Sequence, residues 1–250
     1  MSLNRTGQQN DGHRQFGNVF ERYSLVEQFQ KRPALNAVIV IDPDANDAAA
    51  LAAFVIANRD FEVLGTNMTT ALCTFSTGGG ITLTSAGGSS DQAIVAPHLD
   101  ATQSSWAGTN WATDDEVSTY TRLVTGASIA STIIWSGLKL TNTSVTATDD
   151  DQAFFRYEAG VNGGRWQAVW SIAGTDVSYD TGVTAVLSTV YDLQIIQKPS
   201  RVAQFYINGK LEATSTALTT AIDLIPYTGV QGVSKAIAVR GTAISKTQND

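Results

Sequence analysis

From Phe61 to the end of the chain, short runs of Thr, Val, Ile and aromatic residues alternate with Gly- and Asn-rich turns, and this texture constrains the fold more than any other feature. Such residues fit a pleated, half-buried surface. The runs are FEVLG (61–65), TALCTF (70–75), GITLTS (80–85), QAIVAP (92–97), VSTYTRLVTG (117–126) and STIIWSGLKLT (131–141). They continue with QAFFRYEA (152–159), RWQAVWSI (165–172), GVTAVLS (182–188), VYDLQIIQK (190–198), RVAQFYIN (201–208) and KAIAVRGTAIS (235–245). Turn signals separate them: GGG at 78–80, GGSSD at 87–91, TDDD at 148–151, NGG at 162–164, KPSR at 198–201 and NGK at 208–210. About a dozen short strands with no helix between them predict an all-β antiparallel sandwich or jelly roll. In VAQFYI, Ala203, Phe205 and Ile207 alternate with Val202, Gln204 and Tyr206, and Asn208-Gly209 is the turn of a hairpin into KLEAT. No period of 20 to 50 residues recurs, which excludes a solenoid or propeller.

The first 58 residues read differently. Residues 1–35 carry five basic side chains (Arg5, Arg14, Arg22, Lys31, Arg32) against three acidic ones (Asp11, Glu21, Glu27). With Phe16, Phe20, Tyr23, Leu25, Val26 and Phe29 they hold more apolar surface than a merely solvated tail needs. This predicts an extended N-terminal arm that orders on a partner, with Phe16, Phe20, Tyr23 and Phe29 as its contacts. ALNAVIVI (34–41) is a short β-branched run ended by a turn-like DPD. DANDAAALAAFVIANRD follows, where Asp44 or Asp47 caps a short α-helix, Ala48, Leu51, Ala52, Val55 and Ile56 form one face, and Asn58 marks the stop. Residues 17–30 are compatible with a second helix. The expected division is an arm at 1–35, a connecting strand and helix at 36–58, and a sandwich at 59–250.

A chain of 250 residues buries enough surface to fold without disulfides or metal, and its single Cys73 allows no internal disulfide. The net charge of −7 argues against a general nucleic-acid binder. The N-terminus lacks the apolar run of a secretory signal, and no stretch of about 18 apolar residues offers a membrane span. The expectation is a soluble product made in the cytoplasm, with no membrane partner.

The inventory for catalysis is thin. Of the two histidines, His13 lies in the arm and His98 follows Pro97 at a strand end. His98 pairs on paper with Ser104 or Cys73, but no G-x-S-x-G elbow accompanies it. One Cys and two distant His do not make a zinc set. Asp149-Asp150-Asp151 and Asp114-Asp115-Glu116 are acidic turns, the first of which offers a Ca²⁺ alternative at Asp149 and Asp151 without EF-hand spacing. The Glu-x-Asp-x-x-Glu and Glu-x-Asp-x-Glu spacings, whose period of two would put paired glycosidase acids on one strand face, are absent. Gly-rich STGGGITLT opens no helix, so it is not a phosphate loop. Trp166 and Trp170 share one face of one strand and Trp135 sits in an apolar strand, as core residues do; Trp106 and Trp111, in SSWAGTNWATDD, are the candidates for an exposed ligand loop. No catalytic residue, cofactor or metal is assigned.

The stretch VYDLQIIQKPSRVAQFYINGKLEATSTALTTAIDLIPYTGV (190–230), followed by KAIAVRGTAISK, resembles the final strands of concanavalin A-like (laminin-G/lectin-type) jelly rolls. FEVLGTNMTTA (61–71), GGITLTSAG (79–87), WSGLKLTNTSV (135–145) and TDDDQAFFRYE (148–158) resemble the jelly-roll structural proteins of tailed-phage virions. The resemblance covers about residues 59–247. It implies a non-enzymatic capsid decoration or cement protein on the surface of a phage head, partnered by the major capsid protein through the N-terminal arm and by itself in a homo-oligomer, with a trimer suited to three-fold positions. The alternative it implies is a carbohydrate-binding, lectin-like module of a fibre or surface protein, although no lectin-type metal and Asn sugar site is recognisable.

Overall fold

The computed structural model describes residues 22–30, 32–35, 58–97, 111–140 and 149–247. The first strands are β1 (Arg22–Glu27), β2 (Pro33–Leu35), β3 (Asn58–Leu64), β4 (Cys73–Phe75), β5 (Ile81–Thr84) and β6 (Gln92–Pro97). The middle of the chain adds β7 (Val117–Thr125), β8 (Ile133–Lys139), β9 (Gln152–Glu158), β10 (Arg165–Ile172) and β11 (Thr175–Thr184). The last are β12 (Val190–Gln197), β13 (Val202–Ile207), β14 (Lys210–Ala217), β15 (Ile225–Gln231) and β16 (Ala236–Thr247).

They build two eight-stranded sheets. Sheet A runs β14-β13-β12-β7-β16-β5-β4, and β1 also pairs with β16. Sheet B runs β11-β10-β9-β8-β15-β6-β3-β2. Every pairing is antiparallel except β2 with β3. Between the sheets, inward side chains interlock: Phe155 of sheet B meets Phe205 of sheet A edge-on at 5.4 Å, and Trp166 meets Tyr191 at 5.3 Å. The Asn208-Gly209 hairpin forms as expected, both residues at positive φ (52° and 80°), the geometry that matches strand twist in a two-residue loop. It carries Ala203, Phe205 and Ile207 into the core and leaves Val202, Gln204 and Tyr206 on the outer face of sheet A.

Three expectations need correction. Residues 22–27 form a strand, not a helix: Arg22 pairs with Thr247 and Glu27 with Thr242, so the start and end of the described chain close against each other. Phe29 is 1% exposed and packs edge-on against Phe61 at 5.5 Å, so the sandwich takes in residues from Arg22 rather than from 59. An aromatic ring gains more from an apolar interior than from water, which is why this part of the arm belongs to the core. Asn58 opens β3 instead of ending a helix; residues 36–57, which hold the rest of that expected helix, lie outside the described residues. Smaller shifts are local: residues 70–72 make a 3₁₀ turn ahead of β4, and β11 begins at Thr175 where the sequence pointed to 182.

Candidate functional site

The outer faces of the two sheets differ. On sheet B, Leu64, Ile94, Trp135, Phe154, Val169 and Tyr227 form a second, buried apolar cluster. Polar side chains beside it bond to one another: Gln152 Nε2 donates to Ser171 Oγ at 2.8 Å, and Arg156 Nη2 to Gln167 Oε1 at 3.0 Å. The residues of this cluster are buried, while β11 at the edge of the sheet is exposed. The outer face of sheet A is partly exposed across β7, β12 and β13, and these three strands alternate strictly. In β7, Val117, Thr119, Thr121, Leu123 and Thr125 are buried while Ser118, Tyr120, Arg122 and Val124 face out. In β12, Tyr191, Leu193, Ile195 and Gln197 are buried while Asp192, Gln194 and Ile196 face out.

Register then assembles a row. Gln194 lies opposite Tyr120 on one side and Tyr206 on the other, so two tyrosines flank a glutamine across three adjacent strands. With strands about 4.8 Å apart, the two tyrosine Cα positions are separated by about 10 Å. On the next strand, β16, small residues stand beside this row: Ala243 opposite Tyr120 and Ser245 opposite Ser118. The polar groups are oriented by one another. Tyr120 Oη donates to Asp192 Oδ1 at 2.7 Å, Arg122 Nε lies 3.7 Å from the same oxygen, and Gln194 Nε2 donates to Ser118 Oγ at 3.2 Å. Tyr206 Oη donates to Gln204 Oε1 at 3.2 Å, and the Asp192 N–H to Asn208 Oδ1 at 2.9 Å. Partial burial, then the hydrogen bond and negative charge of Asp192, push the Tyr120 phenol up to about 12, so it is a hydrogen-bond donor at any physiological pH.

The residues singled out from the sequence fall elsewhere. Trp111 is 1% exposed, its backbone tied to Leu224 N–H at 3.0 Å, so it is a core residue and no ligand-loop residue. Phe29 is likewise withdrawn from any partner. Tyr23 lies in β1 opposite Lys246; Phe16, Phe20, Trp106, His13, His98 and Ser104 lie outside the described residues. Cys73 is buried, and burial raises its thiol to about 11. Trp166 and Trp170 pack in the core as expected, whereas Trp135 belongs to the outer cluster of sheet B. The acidic turns serve the chain itself. Asp149 Oδ2 accepts from Leu140 N–H at 2.9 Å, Asp151 from Thr219 and from Ala173 N–H, and Asp114 from Thr220 and Ala221 N–H. Among the described residues no three His, Cys, Asp or Glu converge as metal ligands. A gap of about 10 Å³ between the sheets, lined by Phe61, Val95, Thr228 and Thr242, has room for about one water and none for a small-molecule ligand.

Composition did not single out Tyr120, Gln194 and Tyr206, because each is an ordinary polar residue in an alternating strand. The Asn208-Gly209 turn could have placed Tyr206 on the outer face; its alignment with Tyr120 depends on the long-range β7–β12 pairing.

Among solved structures, the chain is similar to the carbohydrate recognition domain of Emp47p, at 8% identity over 93% of this chain and 100% of that one, TM-score 0.56. It is similar to peanut lectin at 11% identity over 92% and 99%, TM-score 0.56. It is also similar to a Bacillus licheniformis β-glucanase at 10% identity over 90% and 98%, TM-score 0.51. No protein-family model matches the sequence, and no curated protein matches it. The fold is therefore a concanavalin A-like, lectin-type jelly roll, an architecture that binding domains and a glycan-cleaving enzyme share.

Proposed function

We propose that the chain is a non-enzymatic carbohydrate-binding module that takes a saccharide across the outer face of sheet A. One observation carries this reading: the Tyr120–Gln194–Tyr206 row, in which two tyrosines with Cα positions about 10 Å apart flank a glutamine across three adjacent strands. The C–H face of a pyranose packs on an aromatic ring, while its hydroxyls need amide and hydroxyl partners. A flat, half-exposed sheet supplies both along the length of a short oligosaccharide. Similarity to the Emp47p carbohydrate recognition domain and to peanut lectin supports the reading through the fold.

Binding without hydrolysis fits the carboxylates of this face. Glycoside cleavage needs two acids about 5 to 10 Å apart across the bond. Asp192 is held by Tyr120 and Arg122, and Glu212 on β14 is tucked against Lys210 Nζ at 3.0 Å.

The test is a glycan array followed by calorimetry on the best ligand. Tyr206→Ala should weaken binding about tenfold, the equivalent of about 1.4 kcal/mol, with the melting temperature close to that of the unmodified chain. Equal affinity in the two proteins would remove the row from the binding site.

The resemblance to virion jelly rolls keeps a second reading, attachment to a phage head shell as a homo-oligomer. The observation that favours it is Val26, 62% exposed on the outward side of β1, which leads back to residues 1–21. Removing residues 1–21 should abolish attachment to bare shells, and undiminished attachment would end this reading.

A further inference from the structure

We infer that the open edge of sheet B is an interface for a second copy of this chain, with β11 pairing antiparallel to its own equivalent about a two-fold axis at Val177. This is independent of the saccharide reading and concerns the other sheet. β11 ends sheet B and is exposed from Thr175 to Tyr179. An uncovered edge offers unpaired N–H and C=O groups to a strand of matching register. The other strands that end a sheet are blunted or partly covered. β2 and β4 have three residues each, β14 is broken by two register shifts, and β1 is half-buried at Ser24, Leu25 and Glu27. β11, by contrast, runs unbroken against β10 from Thr175 to Asp180.

The hairpin fixes which backbone groups face outward. Ala173 and Gly174, at φ 48° and 79°, make a two-residue turn, so Ile172 and Thr175 close it as a hydrogen-bonded pair. Alternation then turns the backbone of Val177 and Tyr179 toward β10 and leaves the N–H and C=O of Asp176, Ser178 and Asp180 at the free edge. The side chains of these three are engaged within their own sheet. Asp176 accepts from Ser171 Oγ, Ser178 Oγ donates to Gln167 Oε1 at 2.6 Å, and Asp180 Oδ2 holds Arg165 Nη2 at 2.9 Å. Neither acid therefore guards the edge as a bare charge. On the opposite side of the strand, Val177 and Tyr179 are 40% and 50% exposed, apolar surface that a partner strand would cover.

One register suits self-pairing. A two-fold axis at Asp176, Ser178 or Asp180 sets acid opposite acid, and like charges directly opposite destabilise a strand pair. An axis at Tyr179 draws in Thr181 and Gly182, where the register against β10 is lost, and an axis at Thr175 runs into the turn. At Val177 the ladder stays within residues 174–180. Val177 meets Val177, Thr175 meets Tyr179 and Asp176 meets Ser178, with about four backbone hydrogen bonds from Asp176 and Ser178 of the two copies. At each end Asp180 falls opposite Gly174, so Asp150, the acid beside Gly174, meets the Asp180–Arg165 pair and no bare carboxylate. The two eight-stranded sheets B join into one, and the outer face of sheet A stays free on both copies.

The test is sedimentation velocity of the full chain over a range of concentrations, beside Val177→Lys, with oxidative cross-linking of Val177→Cys and Tyr179→Cys. The full chain should pass from monomer to dimer as its concentration rises. Val177→Lys sets ammonium against ammonium at an exposed position, and should weaken the dimer about tenfold or more with an unchanged melting temperature. Val177→Cys should link two copies, because a non-hydrogen-bonded pair has its Cα atoms about 4.5 Å apart, within reach of a disulfide. Tyr179→Cys, with its two Cα atoms about 14 Å apart, should not. Cys73, the one native thiol, is buried and does not compete. A monomer at every concentration, an assembly indifferent to Val177→Lys, or Tyr179→Cys linking as readily as Val177→Cys overturns the inference.

Discussion

Phe29→Ala tests whether the arm is part of the sandwich or an appendage to it. Phe29 is 1% exposed and meets Phe61 at 5.5 Å with the rings at 73°. Truncating a fully buried phenylalanine removes its transfer energy, leaves a cavity and here also removes an edge-on ring contact, at a cost of about 3–5 kcal/mol. For a chain of this size each kcal/mol moves the melting temperature by about 2–4 °C, so a fall of about 6–20 °C is expected. Urea unfolding followed by tryptophan fluorescence gives the free energy directly, because Trp111, Trp166 and Trp170 are all in the core cluster. Val26→Ala is the control: three residues away, 62% exposed and on the outward side of the same segment, it should stay within about 0.5 kcal/mol. A Phe29→Ala cost below about 1 kcal/mol would refute the reasoning and return residues 22–30 to the arm.

Three further outcomes follow from individual residues. Tyr120 should ionise at about 12, followed by absorbance near alkaline pH, and Asp192→Asn should bring it down toward 10. Its raised value means that the stability due to the neutral phenol is complete below pH 10 and is lost as pH rises to about 12; an unchanged titration in Asp192→Asn would show that Asp192 has no part in it. Cys73, buried and raised to about 11, should resist thiol reagents at pH 8 until the protein unfolds, and rapid native labelling would place it at the surface instead. Gly80 has φ +78° and faces Val239 O, so Gly80→Ala should cost about 1–3 kcal/mol in strain alone and displace the turn from β16. A neutral effect in urea unfolding would mean that the turn does not sit where it is described.

The β architecture was legible because alternation and turn chemistry are local. RWQAVWSI and QAIVAP match β10 and β6 residue for residue, and the Asn208-Gly209 turn set the register of β13 against β14. The segments that escaped notice are those where a strand's environment departs from one wet and one dry face. β15, IPYTGVQ, is buried on both sides and contains Pro and Gly, so it shows no alternation. β11, TDVSYDTGVT, is an exposed sheet edge and therefore reads as a polar loop. Apolar residues in the arm read as partner contacts because sequence alone does not tell a core that closes through residues far apart from a surface built for another protein; Phe29 against Phe61 is that kind of contact. The site was harder still. Trp111 drew attention through its Gly- and Asn-rich surroundings and is buried, whereas the Tyr120–Gln194–Tyr206 row exists only once β7, β12 and β13 lie side by side.

The central claim is that the outer face of sheet A binds saccharide through this row, and calorimetric titration of the best array ligand into the full chain and into Tyr206→Ala tests it most directly. The account predicts saturable binding to the full chain and about a tenfold loss on removing the ring, with both proteins equally folded. Saturable binding that is indifferent to Tyr206→Ala and Tyr120→Ala alike would contradict it.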